Sequence, residues 1–300
     1  MISKIKKVLI VGGTHGNEVT GVFLLNKWQQ RPELIQRESF EVDWLLGNPE
    51  AVAANRRYVD KDLNRCFSSE ALAMASDNNQ ELQRAHQLVE QLGGKGHCQY
   101  DLIIDLHTST ANMKTNLVLT KHDAFHTQMV AYAQQTLEDV VITSEAEFIP
   151  DHHFLCALAD KNLVVEIGPV PQGVLKHETI EKTEQAVYCL LDFVEQYNQE
   201  SLPQLPSRIE VLCYTGKVEL PQDEQGNIIG FVHQNIDGQD YQIIQPGEPI
   251  FRTLNDEDIG YKGEEPAYIS FVNEAAYYDK KLAFCLLQKK QVGVDKFEDG

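Results

Sequence analysis

The spacing of apolar positions changes repeatedly along the first two thirds of the chain. Short apolar runs of the kind found in buried strands lie at residues 7–11, 40–46, 102–106, 116–119, 140–143 and 163–167. Apolar residues at helical spacing lie between several of them, at 18–29, 80–92 and 178–196. Strands with little internal polarity that alternate with helices predict an α/β fold, in which a mixed sheet is flanked by helices.

The pattern changes after residue 200. Prolines 203 and 206 cannot continue a helix, so residues 201–206 are predicted to form a linker. Short β-like segments with turn signals follow, and a helix is predicted over 279–288. We therefore expect an α/β domain over 1–200 and a smaller β-rich domain over 207–300.

Composition narrows the classes of function. The formal net charge of −19 over 300 residues argues against a nucleic acid or an anionic membrane as partner. No apolar segment approaches the roughly 20 residues of a membrane span, and residues 1–7 lack the features of a signal peptide. The six cysteines are scattered without a CxxC pair, which indicates reduced thiols and a cytoplasmic protein.

Three residues at predicted strand ends form a candidate metal site. His15 and Glu18 lie in the glycine-rich turn after the first strand, and His107 closes the strand at 102–106. Two imidazoles and one carboxylate are a zinc set that leaves a fourth position for water, as in hydrolases. Asp105 is a candidate outer partner that would orient His107. The alternatives are that Glu18 only favours the positive end of its helix and that His107 is a hydrogen-bonded core histidine.

A cationic loop and a carboxylate in an apolar strand are further candidates. The segment 56–65 contains Arg57, Asn64 and Arg65 and is either a solvated loop or a carboxylate clamp, because the arginine fork matches a carboxylate. Glu166 lies inside the apolar run 163–167, where an unpaired carboxylate is costly. It is either an ion-paired structural residue or a general base beside the metal.

Two histidine pairs carry weaker signals. His122 and His126 are four residues apart but lack a third ligand nearby, so we expect them to be exposed to solvent. His152 and His153 lie in a predicted loop and either line the cleft or are merely polar.

Five long motifs resemble the aspartoacylase and succinylglutamate desuccinylase family, of the zinc carboxypeptidase-like superfamily. They occur in the family's order over almost the whole chain: GGTHGNEVTGVFLL (12–25), RYVDKDLNR (57–65), DLIIDLHTSTANM (101–113), VVEIGPVPQGVL (164–175) and FVNEAAYYDKK (271–281). The resemblance implies one zinc ion per chain on His15, Glu18 and His107. It also implies that Arg57 polarises the substrate carbonyl and that Glu166 is the general acid and base.

The resemblance further assigns the substrate contacts. It implies that Asn64 and Arg65 hold the α-carboxylate of the amino acid, and that Tyr277 reaches the substrate from the C-terminal domain. Residues 1–200 would then be the zinc-binding catalytic domain, and the β-rich domain over 207–300 would cover the active-site cleft. One position departs from the family: Cys156 stands where aspartoacylases carry an arginine for the side-chain carboxylate. The resemblance also suggests a homo-oligomer.

The reaction expected is therefore zinc-dependent hydrolysis of an N-acyl amino acid. N-acetyl-L-aspartate, cleaved to acetate and L-aspartate, is the first expectation. The alternatives are a deacylase of other N-acetyl or N-succinyl amino acids and, from another class, a non-catalytic metal-binding protein. A base beside the metal argues against the last, because binding alone does not require one.

Overall fold

The computed structural model describes residues 3–75, 78–149 and 151–294. The ends of the two predicted domains, residues 1–2 and 295–300, lie outside these ranges. The strands are β1 (Lys7–Gly12), β2 (Glu41–Leu46), β3 (Leu102–Thr108), β4 (Lys114–Leu119), β5 (Val140–Ser144), β6 (Lys161–Gly168), β7 (Arg208–Glu219), β8 (Gly230–Val232), β9 (Ile243–Ile244), β10 (Pro249–Thr253), β11 (Asp258–Gly260), β12 (Ala267–Ser270) and β13 (Leu282–Gly293).

Helices separate the strands of the first 200 residues. The α-helices are α1 (Val19–Gln30), α2 (Pro49–Ala54), α3 (Ser69–Leu72), α4 (Gln80–Leu92), α5 (Ala124–Thr136) and α6 (His177–Asn198). Short 3₁₀ helices span Pro32–Leu34, Leu63–Arg65, Leu155–Leu158 and Ala275–Lys280. Among the described helices, none combines the length and the apolar character needed to cross a bilayer.

The main sheet is mixed and has ten strands in the order β2-β1-β3-β6-β4-β5-β7-β13-β12-β9. Strands β2, β1, β3 and β6 are parallel, and β4 pairs antiparallel with β6. The carboxyl ends of β1, β3 and β6 therefore lie side by side at one edge, where open α/β sheets bind ligands. The predicted mixed sheet flanked by helices is confirmed.

Alternate residues of the strands pack on opposite faces of the sheet. On β1, Val8 and Ile10 belong to the core shared with α1, α5 and α6, whereas Leu9 and Val11 belong to the core shared with α4. Successive side chains of a strand point to opposite faces of the sheet, so each short apolar strand packs against a helical layer on both sides. The central sheet is thus packed on both faces, and the candidate site lies at its edge.

Only some of the C-terminal strands form a sheet of their own. Strands β7, β13, β12 and β9 extend the main sheet, and β8, β10 and β11 form a second, three-stranded sheet. The helix predicted over 279–288 is wrong, because that segment ends a 3₁₀ helix and then enters β13. The long antiparallel pairing of β13 with β7 supplies its backbone hydrogen bonds and overrides local helix propensity.

Candidate metal centre and active site

The turn between β1 and α1 holds the first two candidate ligands. A side chain at Gly16 would place its Cβ 2.0 Å from the Ala51 carbonyl carbon, so only glycine fits this close approach. The Gly16 N–H also donates to the Arg57 carbonyl oxygen at 3.2 Å. The turn is thereby fixed against α2 and the loop after it, and His15 and Glu18 are both buried.

His15, Glu18 and His107 converge on one point. Their ligand atoms all lie within 4.8 Å of one another. His15 Nδ1 is 2.6 Å from Glu18 Oε1, and His107 Nδ1 is 3.0 Å from Glu18 Oε2. The two Nδ1 atoms are 3.1 Å apart. Two imidazole nitrogens that face each other across a carboxylate are a donor set that fits zinc.

A carboxylate lies next to the Nε2 atom of each histidine. His107 Nε2 is 3.0 Å from Asp105 Oδ2, and His15 Nε2 is 3.0 Å from Asp62 Oδ1. Burial alone would raise the pKa of Asp62, but His15 and Arg57 outweigh it and hold this pKa well below its usual range. With a carboxylate at each outer nitrogen, both Nδ1 atoms face Glu18 and are placed to bind a cation together with it. Asp62 was not among the predicted residues, although it lies inside the motif at 57–65.

Arg57 links the two carboxylates of this cluster. One guanidinium nitrogen donates to Glu18 Oε1 at 3.0 Å and the other to Asp62 Oδ2 at 3.1 Å. Its Nε is buried without a hydrogen-bond partner. The side chain is 16% exposed and lines the same cavity as His15 and His107. The Nε–H of Arg57 is therefore an unused donor in this cluster.

Glu166 faces the cluster from the neighbouring strand. In the pairing of β3 with β6 it lies opposite His107, and it lines the cavity with Arg57. Burial raises the pKa of Glu166 well above its ordinary value, and the charge of Glu18 adds to the rise while His107 opposes it. A carboxyl group with a raised pKa beside a metal site is suited to taking up and giving back a proton.

Asn64 and Arg65 lie in the same cavity but differ in how freely they can contact a ligand. The Asn64 side-chain oxygen accepts from the Leu155 N–H at 2.9 Å, and its Nδ2 lies 3.3 Å from Asp105 Oδ2. Asn64 thus supports the ligand shell and leaves at most one N–H for a substrate. The guanidinium of Arg65 donates to the Asn64 carbonyl oxygen at 2.8 Å and lies 5.6 Å from the ring centre of Phe154.

Tyr277 enters the cavity from the C-terminal part of the chain. It lies in the 3₁₀ helix Ala275–Lys280, whose first turn is capped by Glu274. The other carboxylate oxygen of Glu274 accepts from the Thr110 N–H at 2.7 Å and from the Ser109 hydroxyl. Burial raises the pKa of Tyr277 well above its ordinary value, so the phenol is neutral. Glu274, which the sequence reasoning missed, therefore ties the Tyr277 turn to the loop after β3.

Several residues singled out in the sequence lie away from the cavity. Cys156 is fully buried in the core beneath the site, and its Sγ is 3.9 Å from Asn162 Oδ1. The expected exposure of His122 and His126 is wrong, because His126 is fully buried against Asp123 and His122 is half-buried. His152 is buried too, with Nε2 3.0 Å from the Thr120 carbonyl oxygen.

Comparison with known proteins identifies the family. Residues 4–194 match the family described as succinylglutamate desuccinylase/aspartoacylase catalytic domain, and residues 207–289 match the AstE/AspA barrel-sandwich hybrid domain. The chain belongs to the succinylglutamate desuccinylase/aspartoacylase family. The resemblance drawn from the motifs is confirmed.

Several proteins align with nearly the whole length of this chain. A protein of a Nostoc species named probable aspartoacylase is 42% identical over 97% of this chain and 99% of its own. A Xenopus tropicalis protein named N-acyl-aromatic-L-amino acid amidohydrolase (carboxylate-forming) is 37% identical over 95% of this chain and 93% of its own. The crystal structure of murine aminoacylase 3 superimposes with a TM-score of 0.93 at 34% identity and covers 98% of each chain.

Proposed function

We propose that this member of the family is a zinc-dependent amidohydrolase that removes the acyl group from an N-acyl amino acid. The observation that carries the proposal is the convergence of three ligand atoms within 4.8 Å beside Glu166, Arg57 and Arg65. A metal-binding protein without activity would not need a carboxyl group of raised pKa at that place, which disfavours the non-catalytic alternative.

We propose that His15, Glu18 and His107 hold one zinc ion. Bound there, zinc would polarise the acyl carbonyl and lower the pKa of a water molecule. Asp62 and Asp105 keep the two imidazoles in the orientation and tautomer that this binding needs.

The other residues of the cavity have separate parts in this proposal. Glu166 takes the proton of the attacking water and gives it to the leaving amine nitrogen. Arg57 donates from its unpartnered Nε to the carbonyl oxygen as negative charge develops there. Arg65 holds the α-carboxylate through its fork, with Asn64 beside it, and Tyr277 contributes a neutral phenol to the wall.

The wall of the cavity favours a substrate with one carboxylate. Its apolar part includes the rings of Phe154, Tyr214 and Phe271, which suits a neutral or aromatic side chain. N-acetyl-L-aspartate, the first expectation, is the second candidate, supported by the name of the Nostoc relative. Arg57 is already paired with two carboxylates, so only Arg65 among the described arginines of the wall is without an ion pair.

The proposal extends to the cellular compartment, the oligomeric state and the partners. The unpaired state of all six cysteines supports a reducing compartment, and we propose the cytoplasm. A homo-oligomer also stays a prediction, as does the absence of nucleic-acid and membrane partners.

The test is turnover and zinc content of the Glu166→Gln variant. We expect zinc to stay at one ion per chain while kcat for N-acyl amino acids falls by roughly 10²–10⁴. The control is Asp160→Asn, just before the same strand, where the side chain is 81% exposed. Retention of kcat within a few-fold in Glu166→Gln would show that Glu166 is a structural carboxylate.

A further inference from the structure

Glu145 lies beyond the carboxyl end of β5, which runs antiparallel to β6, and has no part in the mechanism above. It follows β5 directly, and its N–H donates to the Leu119 carbonyl oxygen at 3.0 Å. That hydrogen bond fixes the backbone beside β4. The Glu145 side chain lines the cavity that also contains Arg57 and Arg65.

The position of Glu145 corresponds to the amino-acid end of a substrate. Two adjoining cavities share His15, Arg57 and Glu166. Only the cavity that contains Arg65 also contains Glu145, and the one that contains Glu18 does not. Because Arg65 is the proposed holder of the α-carboxylate, Glu145 faces the side chain of the amino acid rather than the acyl group.

The carboxylate of Glu145 has an unmet hydrogen-bonding requirement. Its Oε2 is buried and has no hydrogen-bond partner. Within residues 3–75, 78–149 and 151–294, Glu145 forms no ion pair within 4.0 Å, since Arg65 donates to the Asn64 carbonyl oxygen and lies over Phe154. A buried oxygen of this kind is costly unless a ligand or a water supplies a donor.

The surroundings of Glu145 determine which ligand group it can accept. Tyr214, on the same wall, has a buried hydroxyl beside Ser270, and burial keeps this phenol neutral by raising its pKa well above the ordinary value. Val118, Val164 and Phe154 supply apolar surface around the two polar atoms. Burial raises the pKa of Glu145 and the charge of Arg65 opposes this rise, so an ionised Glu145 favours a donor or a cation beside it and disfavours a second carboxylate on the substrate.

We propose that Glu145 determines specificity for the amino-acid side chain of the substrate. It excludes a side-chain carboxylate and accepts a hydrogen bond from an N–H or O–H group on that side chain. The inference rests on the proposed deacylase function and specifies its substrate class as N-acyl amino acids with a donor-bearing, uncharged or cationic side chain.

Two pairs of isosteric substrates test this proposal. N-acetylasparagine and N-acetylaspartate differ only in whether the side chain ends in an amide or a carboxylate, and so do N-acetylglutamine and N-acetylglutamate. In the zinc-loaded wild type we expect kcat/KM to favour the amide by roughly 10- to 100-fold in at least one pair. In Glu145→Gln this ratio should fall by about tenfold or more, since the repulsion is removed.

The matched control is Glu147→Gln, two residues away, where the carboxylate is 62% exposed and paired with Lys290. It should leave the ratio unchanged. A wild type that prefers the carboxylate member of both pairs would overturn the proposal, because Glu145 would then be protonated and a donor. A ratio that moves less than threefold in Glu145→Gln would overturn it too.

The outcome is separable from failure of the proposed function. If the zinc-loaded wild type hydrolyses none of the four compounds, the deacylase proposal fails for these substrates. Calorimetric binding of the same pairs to wild type and Glu145→Gln then decides the role of Glu145. A tenfold preference for the amide that the substitution removes supports it, and equal binding overturns it.

Discussion

Replacement of Asp62 by asparagine should weaken metal binding without changing any metal ligand. Asp62 Oδ1 is 3.0 Å from His15 Nε2 and accepts from the Asn64 N–H at 2.9 Å, and Oδ2 accepts from Arg57 at 3.1 Å. An asparagine of the same shape keeps the first oxygen. Its amide nitrogen would face the Arg57 donor, so one charge-assisted hydrogen bond is lost and His15 loses its anionic partner.

The size of the effect follows from these contacts. Loss of a carboxylate behind a metal-binding histidine typically costs 10- to 100-fold in metal affinity, or about 1.4–2.7 kcal/mol. The hydrogen bond to Arg57 is worth about 1.5–3 kcal/mol because both partners are charged. The two losses share one charge and are not additive. We expect the zinc Kd of Asp62→Asn to rise 10- to 100-fold.

The assay is competition for zinc with a chelator of known affinity, for wild type, Asp62→Asn and Asp60→Asn. Asp60 lies in the same loop and is exposed, and its carboxylate accepts only from the Gln80 N–H among the hydrogen bonds described for it. Asp60→Asn should keep the wild-type Kd within about threefold. A wild-type zinc Kd in folded Asp62→Asn would refute the reasoning that this carboxylate orients His15.

Three further predictions concern other parts of the site. Arg65→Lys should lower kcat/KM for every N-acyl amino acid alike, by a loss of about 1–3 kcal/mol in transition-state stabilisation, because lysine keeps the charge but loses the fork. A loss confined to one substrate would contradict this. Cys156→Arg should lower the free energy of unfolding in urea by about 3 kcal/mol or more, because the position is fully buried; Cys156→Ala should cost less, and an unchanged midpoint would place residue 156 at the surface. Burial, with the charges of Arg65 and His152, lowers the pKa of His153 to about 3, so the fold loses stability as pH falls below the ordinary histidine pKa of about 6.5. Between pH 7 and pH 5 wild type should lose about 1 kcal/mol more than His153→Gln in urea unfolding, half the full linkage value because the ring is partly exposed; parallel losses would contradict the assignment.

The catalytic half of the chain could be predicted from local patterns. His107 and Glu166 lie on short apolar strands and His15 follows another, and parallel strands place their carboxyl ends at one sheet edge. The candidate ligands could therefore be grouped before any coordinates. Asp62 could have been found by the same reasoning, since it lies between Arg57 and Asn64 in one motif.

The parts that could not be predicted depend on contacts distant in sequence. The segment that forms β13 has a composition that suits a helix, and only its pairing with β7 makes it a strand. Cys156, expected from the sequence to stand at the side-chain pocket, packs in the core, whereas Glu145 lines the cavity. No periodicity in the sequence indicates which carboxylate a folded cavity will leave without a partner.

The most direct measurement of the central claim is zinc titration into metal-free protein while hydrolysis of N-acyl amino acids is followed. We predict that hydrolysis is negligible in the metal-free protein and rises in proportion to added zinc. It should saturate at one ion per chain, and His107→Ala should abolish both the saturation and the turnover. Full hydrolysis without metal, saturation at two ions per chain, or normal zinc-dependent turnover in His107→Ala would contradict the account.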